Sequence, residues 1–442
     1  MRVAAAFVLF AAIGSRAADA VPGSLENWHH WRGPLANGTA PNADPPLDWD
    51  AKSKTHVKWV AELPGKSSAT PIVWGNQVFA ITAVATDREA KPEDIVAVDA
   101  KFERKTNPPT LYHEFHVYCF DRTTGKVLWT HKAAEKVPHE GHHDSHSYAA
   151  GSPTTDGQRL YVSFGSFGIY CYDLAGKQLW SRDLGRIISR LGWGEAVTPV
   201  IYGDSLLLNW DQEANSKLIC LEAATGKTKW ETPRDEPTSW NTPLVVEHKG
   251  TTQVILNGTK RIRSYDFATG KPLWTCAGMT TNAIPSPVTE NGVVYVMSGY
   301  RGSAAVAVSL DARGEVGPDS GLLWKYGKGT PYVPSPLLSN GRLYFTQERQ
   351  NLLTILDAKS GKPLLEQERL PSVRSFYSSP VAAAGRIYMT GQDGTTIVLK
   401  EGDKPEMLAT NRLDDPVDAS PALAGKQLFL RSHSRLYCIE SK

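Results

Sequence analysis

The most chemically suggestive run in this chain is His139-Glu140-Gly141-His142-His143, which formally matches His-Glu-x-x-His. That motif does chemistry when two histidines one helical turn apart hold zinc and the glutamate acts as base. Here Pro138 precedes it, Gly141 sits inside the would-be helix, and His146 extends a histidine-rich stretch. The expectation is a solvated loop, with at most an adventitious metal site on His139, His143 or His146.

A second set of candidates is scattered along the chain, always in connections between apolar runs: Trp193, Glu195, Asp211, Trp240, Asn241, Asn282, Tyr332, Tyr377, Asp393 and Asp418, with Glu213, Arg301 and His433 beside them. Aromatics mixed with carboxylates and amides suit a sugar, a peptide or a planar cofactor. No catalytic residue is assigned, because any triad drawn from this set would join distant segments.

The five cysteines offer little redox chemistry. Cys119, Cys171, Cys220 and Cys438 each stand two residues before an acidic turn residue, a position that Ser264 and Ser309 fill elsewhere. Equivalent positions in separate repeats lie beyond the reach of a disulfide, so buried, unbridged thiols are expected.

These residues must be positioned by a repeat. Ser-Pro or Thr-Pro opens a short apolar run eight times, at Thr70, Ser152, Thr198, Thr242, Ser286, Ser335, Ser379 and Ser420, with spacings of 82, 46, 44, 44, 49, 44 and 41 residues. A period of that size marks a propeller or solenoid. Most periods also carry an acidic turn followed by Trp, fullest in Asp121-Arg-Thr-Thr-Gly-Lys-Val-Leu-Trp129 and with Leu365 in place of Trp after Asp357, and a second turn such as Asn291-Gly292. Four short antiparallel strands, A to D, fit each period. The last repeat ends after its third strand, while His56-Val-Lys-Trp-Val-Ala-Glu62 enters unpaired. Pairing that strand into the last repeat closes the ring without an open edge. The expected fold is an all-β, eight-bladed propeller over residues 56–442.

The spacing also locates asymmetry. The step of 82 residues places an insertion near 85–115 between strands B and C of the first blade, and the connections after Trp129 and Trp180 are long as well. All three extensions fall on one face, around blades 1 to 3. Long loops on a rigid scaffold are where binding sites concentrate.

Arg2, an apolar run from Val3 to Ile13 and Ala18-Asp19-Ala20 read as a signal peptide over residues 1–20, and no cysteine follows to carry a lipid. The run is too short to span a bilayer, so a periplasmic or secreted protein is expected, acting as a monomer. A net charge of +2 gives no nucleic-acid footprint. Residues 21–55, rich in Pro, Asn and Gly and containing Trp28, Trp31 and Trp49, are expected to clasp the outside of the ring by burying those rings, or else to form an exposed partner-binding peptide.

The Ser/Thr-Pro pairs and the Asp-x-x-Thr-Gly-Lys-x-x-Trp turn resemble the repeats of the pyrroloquinoline-quinone-like propellers, which include quinoprotein alcohol dehydrogenases and the outer-membrane assembly lipoprotein BamB. Trp28-His-His-Trp-Arg-Gly-Pro34 is similar to the lead-in of exported propellers of bacteria such as planctomycetes. The resemblance implies one of two functions. The first is non-catalytic binding of an envelope or secreted protein partner, or of a small ligand, on the loop-rich face. The alternative is a quinoprotein oxidoreductase using pyrroloquinoline quinone and calcium. Against the second, the adjacent cysteine pair that typifies those enzymes is missing here.

Overall fold

The computed structural model describes residues 21–441 except 98 and 348; the expected signal peptide over residues 1–20 lies outside them. Eight antiparallel sheets form the ring. Blade 1 comprises Ile72–Trp74, Gln77–Glu89, Leu111–Asp121 and Val127–Lys136, and blades 2 to 7 repeat the meander. Blade 8 takes Ala422–Ala424, Gln427–Arg431 and Arg435–Glu440 from the C-terminal end and Val57–Glu62 from the N-terminal side, with Val60 opposite Tyr437. The A strands of neighbouring blades touch one another and so line the axis, whereas D strands alternate between half-buried and exposed residues at the rim.

The Asp-to-Trp landmark is the joint between blades. The Asp121 carboxylate accepts the N–H groups of Thr123 and Thr124 at 3.1 and 2.7 Å, which folds the C–D turn. Gly125 then adopts a left-handed φ of +71°, and a Cβ there would lie 2.6 Å from the Trp59 ring of blade 8. The Trp59 indole N–H donates to the Arg122 carbonyl at 2.9 Å, and the same bond joins Trp129 to Leu174, Trp180 to Ala223, Trp230 to Phe267 and Trp324 to Ala358. Each tryptophan therefore covers and reads the turn of the next blade.

Trp274 departs from this pattern because the stretched C–D connection of blade 5 folds back. Its Gly314–Val316 segment pairs in parallel with Pro272–Cys276 as a fifth strand of blade 4, so Trp274 is fully buried and donates instead to Gln253 at 3.1 Å. All five cysteines are buried and unbridged, and desolvation pushes the Cys119 thiol up to about 12.

Residues 21–55 take a course different from the expected outer clasp. Trp28 pairs with Val73 of blade 1, and the His29 carbonyl accepts from Thr154 and Thr155 of blade 2. Three residues later Arg32, fully buried, donates to the carbonyls of Pro336 in blade 6 at 2.7 Å and Pro380 in blade 7 at 3.2 Å. Blades 2 and 6 are opposite one another, so the chain crosses the axis beneath the ring before reaching blade 7, where the Trp49 N–H meets Asn411. Trp28 and Trp49 are buried as expected, while Trp31 lies under the central channel.

Candidate functional site

The cavity on the ring axis has a volume of about 420 Å³. Trp31, on the segment that crosses the axis, lines it from below. All eight Ser/Thr residues of the Ser/Thr-Pro pairs line its wall, and Trp193, Trp240, Tyr300, Tyr332 and Tyr377 stand around its mouth on the face of the B–C and D–A connections.

The hydroxyl ring follows directly from the repeat. Each Ser or Thr ends a D–A connection at the start of the innermost strand, with Pro fixing the backbone after it. In six of the eight, the residue's own N–H donates around the ring to the hydroxyl of the next blade. Thr70 donates to Ser152, Ser152 to Thr198, Thr242 to Ser286, Ser286 to Ser335, Ser335 to Ser379 and Ser379 to Ser420, at 2.9–3.0 Å. The steps from blade 3 to 4 and from blade 8 to 1 lack this bond among the described residues. A side chain that looked like punctuation is thus both inter-blade clasp and cavity wall.

The aromatic mouth is built by the long connections. The insertion of blade 1 is shared between lengthened B and C strands and the connection between them, which reaches the loop before blade 3: the Lys105 N–H donates to the Leu191 carbonyl at 2.9 Å and the Thr106 hydroxyl to that of Gly192. That loop presents Trp193, whose carbonyl accepts the His143 N–H at 3.1 Å. Trp193 meets Tyr300 edge-on at 6.2 Å, and Tyr300 lies 4.8 Å from Tyr332. Trp240 is oriented by an indole bond of 2.8 Å to the Gly194 carbonyl.

Among the residues singled out from sequence, Trp193, Trp240, Tyr332, Tyr377 and Asp418 come together on this cavity, joined by His143 and His146. Asp418 is buried, with its carboxylate held by Gln392 and His433 at 2.8 Å and by Lys66 at 3.3 Å. Its pKa is lowered on balance: burial opposes ionisation, but these donors outweigh it.

The others are turned to framework roles. Asp211 forms a fully buried pair with Arg234 at 2.7 and 3.0 Å, supported by Ser239. Asn241 binds the Asn257 carbonyl at 3.0 Å. Glu213 accepts from Thr238, and exposed Asp393 caps its own turn through the Thr395 N–H at 3.1 Å. Asn282 is buried at a left-handed φ of +59°, a conformation that Asn tolerates better than most residues.

Glu195 lies behind the mouth, accepting from the Ser166 N–H and hydroxyl at 2.7 and 2.6 Å; desolvation raises its pKa to about 8. The histidine-rich stretch is a loop, not a helix. His139 bonds the Ile187 carbonyl at 2.8 Å, His146 the Glu195 carbonyl at 3.0 Å, and His143 the Ser145 hydroxyl at 2.7 Å. Burial lowers His146 to about 4. No three metal-ligating side chains cluster among the described residues. The sequence reading did not single out Trp31, Tyr300 or the hydroxyl ring as site residues.

An eight-bladed ring with inter-blade Trp joints places the molecule in the PQQ-like repeat class. The chain belongs to the family described as outer membrane protein assembly factor BamB, whose model matches residues 113–362, more than half of its length. Among solved structures it is similar to BamB from Moraxella catarrhalis at 14% identity and a TM-score of 0.52, covering 81% of this chain and 98% of that one. It is also similar to quinohemoprotein alcohol dehydrogenase from Comamonas testosteroni, at 11% identity and a TM-score of 0.61, covering 96% and 82%. A computationally designed protein, Ika8, matches at 11% and 0.50 over 80% and 97%. At such identities the likeness is one of fold. No curated protein matches the chain. No helix among the described residues is long and apolar enough to cross a membrane.

Proposed function

We propose that this protein is an exported, non-catalytic propeller that binds a small ligand in the axial cavity. The observation that carries the reading is the lining of that cavity: Trp31, on the segment that crosses the axis, contributes to it from below, and five aromatic side chains stand around its mouth. Its size falls within the roughly 300–1,000 Å³ usual for small-molecule sites. Two titratable groups on its wall, Asp418 and His146, are already engaged. Asp418 is held by three donors, and His146 is kept neutral by burial while it bonds a backbone carbonyl. Neither is poised to exchange protons at neutral pH. The sequence expectation of an exported chain, and the family's description as an assembly factor, support an envelope setting.

The quinone and calcium alternative fits this lining poorly. Calcium takes six to eight oxygen ligands, carboxylates prominent among them, whereas Asp418 is the one carboxylate among the described lining residues and its oxygens are occupied. The buried cysteines lie in separate strands, none beside another.

Native mass spectrometry of mature protein recovered from an envelope extract tests the proposal. A retained small-molecule adduct, lost when Trp193 and Trp240 are replaced by Ala, is the expected result; no adduct in the wild type overturns it. A parallel titration with pyrroloquinoline quinone and calcium discriminates the rival. Saturable binding with dye reduction by simple alcohols would replace the non-catalytic reading.

A further inference from the structure

Resting on the small-ligand reading above, we propose that the axial cavity takes an uncharged sugar, the end of a glycan entering between the aromatics and seating on the hydroxyl ring. The first ground is the donor inventory. In six of the eight ring positions the hydroxyl oxygen accepts an N–H from the blade before it. Among the described residues none of the eight hydroxyls gives its proton to another protein group. A hydroxyl that already accepts a hydrogen bond is polarised toward donating. The wall therefore offers a circle of O–H donors seeking acceptor oxygens, with water as their partner in the free protein.

The second ground is charge. Arg349 is the one lysine or arginine among the described lining residues, and it is exposed at the rim. Asp418 is neutralised by Lys66 and its other donors. A phosphate or carboxylate at the base would find hydroxyls but no cation. An alkyl chain would strip water from the ring and return nothing to its hydroxyls, a cost for each unpaired group.

The third ground is the mouth. Trp193, Trp240, Tyr300, Tyr332 and Tyr377 are each only part-buried and line the cavity, so aromatic surface is available to a ligand there, and Trp31 adds more from below. A ligand is required that is rich in oxygen acceptors at its edge, apolar on its faces and without net charge. A pyranose ring, with its C–H faces and hydroxyl rim, has all three properties.

Thr70 and Thr242 allow a test that spares the fold, because neither hydroxyl is bonded to the protein among the described residues while both line the cavity. Replacing both by isosteric Val removes two donors and no clasp; Tyr377→Ala removes one aromatic wall. Wild-type protein is screened on an array of neutral, uronate-containing and sulfated mono- to tetrasaccharides, and hits are titrated by tryptophan fluorescence and calorimetry. The expected outcome is saturable binding of neutral glycans, weakened about tenfold or more in Thr70→Val/Thr242→Val, as loss of two ordinary hydrogen bonds implies, and weakened again in Tyr377→Ala, with melting temperatures unchanged. No glycan binding, binding of charged glycans alone, or affinity indifferent to both variants overturns the proposal. A retained adduct in native mass spectrometry without any glycan affinity would overturn the sugar while leaving the small-ligand reading intact; absence of both removes the two together.

Discussion

Glu195 makes the chain's stability fall as pH rises from about 4.5 to about 8, and Glu195→Gln should remove that dependence. Its carboxyl is sealed behind the mouth, with Ser166 as donor, His139 4.0 Å away and Glu140 nearby. Burial lowers the pKa of His139, so no positive charge is held ready to balance a carboxylate. Desolvation, followed in the opposite sense by the Ser166 bonds, raises Glu195 from its ordinary 4.5 to about 8. Between those values the folded state keeps a proton that the unfolded state has released. The stabilisation is thus complete below pH 4.5 and is lost as pH rises through about 8. At about 1.36 kcal/mol per pKa unit the full loss is on the order of 5 kcal/mol, an upper bound because the loop can open and hydrate locally. For 442 residues the unfolding entropy is roughly 0.9 kcal/mol per kelvin, so the ring, melting as one unit, should lose up to about 5 °C. Gln mimics the protonated acid at every pH. Calorimetry at pH 5, 7 and 9 should show the two proteins melting together at pH 5 and the variant ahead by several degrees at pH 9. Parallel curves would refute the assignment of a buried, protonated Glu195.

Three further perturbations test the framework. Asp211→Ala should destabilise by about 3–5 kcal/mol in urea, because it strands the Arg234 guanidinium in a site from which water is excluded; a change below about 1 kcal/mol would contradict a buried pair. Ser286→Ala removes the acceptor of the buried Thr242 N–H and should cost about 1–3 kcal/mol, with Ser286→Thr close to wild type. Equal losses in both would show that the hydroxyl clasp is not the cause. Gly125→Val should weaken ring closure, since its side chain would displace Trp59 and its φ of +71° is strained for a β-branched residue. Gly75→Ala, at a comparable turn with open space around it, isolates the backbone penalty from the loss of the Trp joint.

The scaffold was largely legible because its signals are local and repeated. An Asp that folds its own turn, a Gly with left-handed backbone and a Trp three residues beyond the following Lys recur at fixed spacing, and the structure shows why: one blade's Trp bonds the next blade's turn. The ring of hydroxyls escaped notice for the opposite reason. A Ser before Pro reads as local turn chemistry, yet its partner stands 44 residues away in Thr242 and Ser286, a pairing that only closure of the ring creates.

Polarity in a loop was equally ambiguous. Asp211 and Asp418 are both carboxylates in long connections, and only packing turns one toward Arg234 and the other toward the cavity. Trp31 looked equivalent to Trp28 and Trp49, all aromatics in a segment without strands. What separates it is the crossing fixed by His29 on blade 2 and Arg32 on blades 6 and 7.

The most direct test of the central claim is a crystal structure of the protein with the ligand it retains. Ligand density on the ring axis, within hydrogen-bond distance of the Thr242 and Ser286 hydroxyls and against Trp240, is the predicted result. Density on the outer strands or the lower face, with only solvent above Trp31, would contradict it.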